Sequence, residues 1–244
     1  SYVDKAFIVQ SLDDNFNVRR VERFMVQIME ENISSVLVLN KADLDFDRQS
    51  VEEQIKHISS QIPVFFTSIH QLETIVRLRK SISEGETVVF VGSSGVGKSS
   101  LVNALCEKPV LLTSDISLST GKGRHTSTRR EMVLMDSSGV LIDTPGVREF
   151  GLAIDNPDSL AEVLEISDYA ESCRFKDCKH INEPGCAVIE AVNSGALDSK
   201  VYESYLKLRR EAWHFSASEH EKRKKEKSFT KLVEEVKNRK DANR

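Results

Sequence analysis

The chain has 244 residues, 39% of them hydrophobic and 30% charged, with a formal net charge of −4. That balance excludes an intrinsically disordered chain, and no apolar run nears the roughly 18–20 residues a membrane helix needs. The N-terminus, SYVDKAFIVQ, lacks a basic segment followed by a long apolar core, so no secretory signal is expected and a cytoplasmic location is.

From the N-terminus to about residue 150, short runs rich in Val, Ile and Phe alternate with amphipathic stretches. Residues 6–9, 35–39, 64–67 and 87–91 read as buried parallel strands. Between them lie helical patterns: the stripe Val21, Phe24, Met25, Ile28 and Met29, then 51–58, then 72–82. EMVLMDSSGVLID adds two strands joined by the polar turn Asp136-Ser137-Ser138-Gly139. Strand–helix alternation of this kind predicts a doubly wound α/β domain.

After Gly151 the pattern becomes helical, with a Cys-rich interruption. KVYESYLKLRREAWHF places Val201, Tyr205, Leu208, Ala212 and Phe215 on one helical stripe, read as packing. Residues 221–244 carry ten Lys or Arg against five Asp or Glu, a net of +5 that leaves about −9 on the rest of the chain. This basic helix candidate reads either as a solvated charged face or as a contact for RNA phosphates.

Three clusters carry the chemistry. VLVLNKADLD sets Asn40, Lys41 and Asp43 behind a strand. Guanine offers N1–H and N2–H₂ as paired donors, which one carboxylate accepts; adenine has an acceptor at N1 and would leave Asp43 unpaired, at a cost of a few kcal/mol. The stem of Lys41 can lie along the base plane. Thr67-Ser68 ends the next strand, where Ser68 would complete the base site. VVFVGSSGVGKSSLVNAL is a strand, a Gly-rich loop and a helix: Gly92, Ser93, Ser94, Gly95, Val96, Gly97, Lys98, Ser99 and Ser100. Such a loop wraps phosphates with backbone amides and a helix N-terminus. Lys98 would reach the β- and γ-phosphates, and Ser99 would offer a hydroxyl to Mg²⁺. VLIDTPGVREF then supplies Asp143 for Mg²⁺ and the Gly146 amide as a γ-phosphate sensor.

The fourth cluster is Cys173-x₄-Cys178-x-His180-x₅-Cys186. Its ligand count and spacing suit a closed, structural Cys₃His zinc site, and Glu183-Pro184-Gly185 turns the chain back towards the metal. Cys106, on the helix after the phosphate loop, reads as buried packing.

The motif order is base loop, second base loop, phosphate loop, switch I, switch II, a circular permutation of the usual GTPase order. With GKGRHTST, DTPGVREFGL and CRFKDCKHINEPGCAV, the chain resembles the RsgA (YjeQ) family of small-ribosomal-subunit-biogenesis GTPases over roughly residues 3–205. The resemblance implies a permuted P-loop GTPase domain over 1–151, a mixed, mostly parallel sheet with helices on both faces. A helical zinc-binding domain with a basic C-terminal helix follows over 152–244. It further implies GTP hydrolysis to GDP, binding to the 30S subunit and 16S rRNA late in maturation, and one zinc plus Mg²⁺ with GTP. A monomer with no membrane contact is expected. Most members carry an N-terminal OB-fold domain, whereas this sequence begins at the first GTPase strand. Permutation places switch II directly before the zinc region, so motion at the γ-phosphate would have only a few residues to cross.

Many GTPases position the attacking water with a Gln just after Asp-x-x-Gly. Val147 stands there and has no polar group. His125, in switch I, is the nearest polar substitute and is the residue the resemblance suggests. Thr126, Ser127 and Thr128 are candidates for the switch I hydroxyl on Mg²⁺, with Ser127 assigned on the family pattern. Arg129 and Arg148 are phosphate stabilisers or RNA contacts. Slow intrinsic turnover, stimulated by the ribosomal subunit, is expected. The competing reading is a zinc-bearing RNA-binding module whose guanine pocket senses nucleotide with negligible turnover. An ATPase or kinase is disfavoured by Asp43.

Overall fold

The computed structural model describes residues 2–14, 16–111, 131–136, 139–144 and 157–216. Switch I with His125 and Ser127, the Gly146–Val147–Arg148 stretch, the division at 151/152 and the basic segment 221–244 lie outside the described residues.

Among the described residues, six strands form one sheet in the order β3-β2-β1-β4-β6-β5. They are β1 (Lys5–Ser11), β2 (Ser34–Asn40), β3 (Val64–Thr67), β4 (Thr87–Val91), β5 (Glu131–Leu134) and β6 (Val140–Asp143). Every pairing is parallel except β5 with β6. That hairpin closes through Met135 N–H to the Gly139 carbonyl at 3.1 Å. The helices between strands are α1 (Val18–Glu30), α2 (Arg48–Gln54), α3 (Lys56–Ser59), α4 (Leu72–Lys80) and α5 (Lys98–Cys106). The single helix expected over 51–58 is interrupted at Ile55, whose φ of −98° and ψ of 8° leave helical values while its side chain stays in the core. Among the described residues four helices follow: α6 (Pro157–Val163), α7 (Ser167–Ala170), α8 (Ala187–Ser194) and α9 (Ser199–Ser216).

Alternation along the strands sorts side chains onto two faces. Phe7, Val9, Val36, Val38, Val88 and Phe90 pack with Leu78 of α4 and Leu101 and Leu105 of α5. Ala6, Ile8, Leu37 and Leu39 face Val21, Phe24 and Met25 of α1 and Ile58 of α3. The second core does not stop at α1. It continues through Leu160, Val163, Ile166, Val188, Tyr205 and Leu208 of the C-terminal helices. Burying each such side chain contributes about 1.5–3 kcal/mol, so the Cys-rich region is anchored to the sheet through α1. Polar links cross the same seam: Arg23 pairs bidentately with Glu211 at 2.8 and 2.9 Å, and Gln61 donates to the Val163 carbonyl at 2.8 Å.

Candidate nucleotide site and metal centre

Register alone brings the loops together. Ser11 lies opposite Asn40 and Asn40 opposite Thr67, so β1, β2 and β3 end in one row. On the other side of β1, β4 runs into the Gly-rich loop, and Asp143 of β6 lies opposite Phe90. Ligands of open α/β sheets bind at these carboxyl ends.

Gly92 and Gly97 have φ of 150° and 94°. A Cβ at Gly92 would run into the Val9 carbonyl, and one at Gly97 into the Asn40 amide. The loop is thus clamped against β1 and the base loop at two points where only glycine fits. Lys98, at the first turn of α5, is buried and donates to the carbonyls of Gly92 and Ser93 at 2.9 and 3.0 Å. Burial pulls its pKa down, against the opposing pull of Asp143. A desolvated ammonium ringed by a Gly-rich loop is a strong counter-charge for phosphate.

Ser99 donates to Asp143 Oδ2 at 2.6 Å. The other oxygen, Oδ1, is buried with no partner among the described residues, and burial pushes the carboxyl's pKa up. A hydroxyl and a carboxylate with a spare buried oxygen form a hard-donor pair that fits Mg²⁺. Thr144, after β6, donates to the Phe90 carbonyl at 2.6 Å.

In the base loop the three residues divide their labour. Asn40 is buried and turned inward: its Nδ2 donates to the Val96 carbonyl at 2.9 Å, and its Oδ1 accepts from Thr67 at 3.3 Å. Asn40 therefore ties base loop to phosphate loop, a role the sequence pattern does not disclose. Asp43 is exposed, and its Oδ1 accepts from Ser68 at 2.5 Å. That bond is the main cause holding its pKa below the ordinary value, with His70 and Lys41 adding smaller pulls. Ser68 is itself oriented by the His70 amide at 3.0 Å. The Lys41 ammonium meets Asp13, in the loop after β1, at 2.8 Å.

The Cys/His loop gathers Cys173, Cys178, His180 and Cys186, whose ligand atoms all lie within 4.8 Å of one another. Cys173 and Cys186 sulfurs are 3.9 Å apart, and His180 Nδ1 lies 3.5 and 3.4 Å from them. Sulfur at about 2.3 Å and nitrogen at about 2.0 Å from a tetrahedral ion define edges of about 3.8 and 3.5 Å, so the four atoms fit a metal ion. Burial pushes the Cys178 thiol up to about 11, a penalty that a bound cation removes. At Cys173 burial also pushes upward, but the amides of Val188 and Ala187 at the start of α8, together with the Cys178 and Cys186 thiols, outweigh it and the thiol falls below its ordinary value. Burial, reinforced by Arg209, lowers the His180 pKa and favours the neutral, ligating imidazole.

The loop between the ligands is stapled by Glu183. Its carboxylate accepts the amides of Lys179, Ile181 and Asn182 at 3.1, 2.9 and 3.1 Å, which pulls its pKa to about 2. Tyr202 of α9 donates to the His180 carbonyl at 2.6 Å, and Arg209 donates to the Lys179 carbonyl. Sequence reasoning took Glu183 as part of a turn and missed this staple; a carboxylate inside a short ligand loop was the available signal.

Comparison with known proteins follows the same outline. Residues 1–153 match the family model described as RsgA GTPase, and residues 87–233 match one described as 50S ribosome-binding GTPase. The chain is 84% identical over 240 residues to the Small ribosomal subunit biogenesis GTPase RsgA 1 of Bacteroides thetaiotaomicron, covering 98% of this chain and 68% of that protein. It thus spans about two thirds of that relative's length. YjeQ from Thermotoga maritima superposes with a TM-score of 0.66 at 28% identity, over 88% of this chain and 73% of that one. YloQ, described as a circularly permuted GTPase, shares the fold with a TM-score of 0.68 at 24% identity, over 89% and 70% of the two chains. With its base loop ahead of its phosphate loop and both at one end of a six-stranded sheet, this chain belongs to the RsgA family of circularly permuted GTPases.

Proposed function

We propose that the chain hydrolyses GTP to GDP as a switch in maturation of the small ribosomal subunit, with 16S rRNA as its contact. The observation that carries the reading is the clamp between loops: Asn40 on the Val96 carbonyl couples the guanine reader to the phosphate loop. Asp43, kept ionised by Ser68, accepts guanine N1–H and N2–H₂. The amides of residues 92–100 and the Lys98 ammonium hold the phosphates. Ser99 and Asp143 would hold Mg²⁺, which neutralises charge developing on the phosphoryl oxygens. His125 orients the attacking water, Ser127 supplies the switch I hydroxyl and the Gly146 amide senses the γ-phosphate. Zinc is the metal that three thiols and an imidazole select, and it serves structure. The GTPase unit over 1–151 and the zinc unit over 152–244 act in the cytoplasm as a monomer.

GTP turnover by the purified protein with and without 30S subunits tests the proposal. Slow turnover alone and a marked rise on adding subunits is the expected result. Turnover indifferent to subunits would sink the ribosomal role, and none under either condition would sink the hydrolase reading.

A further inference from the structure

The contact between Lys41 and Asp13 is not explained by the motif. Lys41 has a φ of 62°, so its backbone is committed to one direction, yet its four-carbon stem has several free rotors. Two carboxylates compete for its ammonium. Asp43, two residues on, feels the Lys41 charge and must stay free to accept guanine. Asp13 takes the ammonium instead, Nζ to Oδ2 at 2.8 Å.

Asp13 is itself aimed. Ser11, buried at the end of β1, donates to Asp13 Oδ1 at 2.7 Å. The Leu12 amide donates to the Asn40 carbonyl at 2.9 Å, which fixes the loop after β1 against the base loop. We infer that Asp13, held by Ser11, is a positioning residue for guanine binding: it draws the Lys41 ammonium off Asp43 and lays the lysine stem along the base. The inference rests on the base-site reading above.

The ion pair is partly exposed, its side chains 35% and 24% accessible, so its worth lies in direction more than in stability. Asp13→Asn is expected to weaken GTP and GDP about two- to fivefold, the scale of one such pair. Because the base is held alike in ground and transition states, KM for GTP should rise while kcat at saturation holds. Asp13→Glu should restore most of the loss. In a Lys41→Met background, Asp13→Asn should cost nothing further; a role in merely folding the loop would persist there.

The experiment is displacement of fluorescent GDP by GTP, GDP and XTP from the full chain, in wild type, Asp43→Asn, Asp13→Asn, Asp13→Glu, Lys41→Met and the Asp13/Lys41 double variant. If Asp43→Asn moves preference to XTP while Asp13→Asn binds GTP as wild type does, or loses as much with Lys41→Met as without, Asp13 has no positioning role and the base site stands. A wild type that binds no guanine nucleotide overturns both.

Discussion

The nucleotide loops and the Cys/His loop solve the same problem, holding polar groups in place, by opposite means. At the nucleotide end, six hydrogen-bonded strands fix the loop bases, and the side chains then pair across loops: Asn40 with the Val96 carbonyl, Ser68 with Asp43, Ser99 with Asp143. In the Cys/His loop, over 173–186, no strand or helix is formed, and the backbone hangs on Glu183, Tyr202 and Arg209. The first centre is preorganised by the fold. The second is tied through side chains, and its three thiols and ring lie within 4.8 Å of one another, close enough to hold one metal ion.

Removing the metal is therefore the harshest way to press the contrast. Chelation, or Cys178→Ala, should open residues 173–186 to protease while guanine-nucleotide binding stays largely intact. Structural zinc is worth about 10 kcal/mol or more in small metal-folded units, far beyond what the Glu183 staple supplies from the surface. A metal assay on protein purified without chelator should find near-stoichiometric zinc, and its absence would remove the distinction. Equal loss of nucleotide affinity would show that the two centres are one cooperative unit, joined through the core that runs from Leu39 to Leu208.

On the preorganised side, Asp43→Asn should reverse base choice without disturbing the loops. Xanthine presents an acceptor where guanine presents its N2 donors, so preference should move from GTP to XTP, by a few kcal/mol. Competition between the two nucleotides reads it directly. Retained GTP preference would mean the carboxylate held by Ser68 is not the base reader.

What the sequence disclosed follows the same divide. The loop of Gly92, Gly97 and Lys98 was legible as a motif because a phosphate-wrapping loop needs those residue types at that spacing, and the Cys/His cluster was legible because its four residues lie close along the chain; the structure brings them within 4.8 Å of one another. Partners distant along the chain were not legible. That Asn40 faces Val96, or that Lys41 faces Asp13, depends on strand register, which no local pattern carries. The break at Ile55 was hidden for a similar reason: the apolar spacing of 51–58 continues through it while the backbone does not. The docking of α6 and α9 onto α1 was hidden too, since the stripe with Tyr205 and Leu208 announces burial without naming its partner.

Chemistry offers a gentler separation than specificity. His125→Ala should keep GTP affinity within a few-fold but slow subunit-stimulated turnover by roughly 10² or more, the scale of a lost orienting group. Lys98→Ala should instead weaken binding itself, since that buried charge is present in the ground state. Wild-type turnover by His125→Ala in the presence of subunits would exclude the histidine from the reaction.

The smallest effect is expected where the two halves meet. Arg23 of α1 and Glu211 of α9 form a two-pronged pair at 2.8 and 2.9 Å across 188 residues of chain, which invites the view that charge holds the C-terminal helices on. The side chains are 30% and 39% accessible, however, so water and salt screen them and the pair is worth at most about 1 kcal/mol. Behind it Leu208 is fully buried, with Tyr205 nearly so. Leu208→Ala should cost about 2–5 kcal/mol, whereas Arg23→Ala should lower Tm by only about 1–3 °C in a chain of this size. Thermal melts of the two variants at low and high salt decide between the views. A small, salt-sensitive shift for Arg23→Ala beside a large one for Leu208→Ala places the attachment in the apolar seam. A shift for Arg23→Ala as large as that for Leu208→Ala would make the ion pair the true hinge pin, and the C-terminal helices would then be expected to loosen from α1 as salt rises.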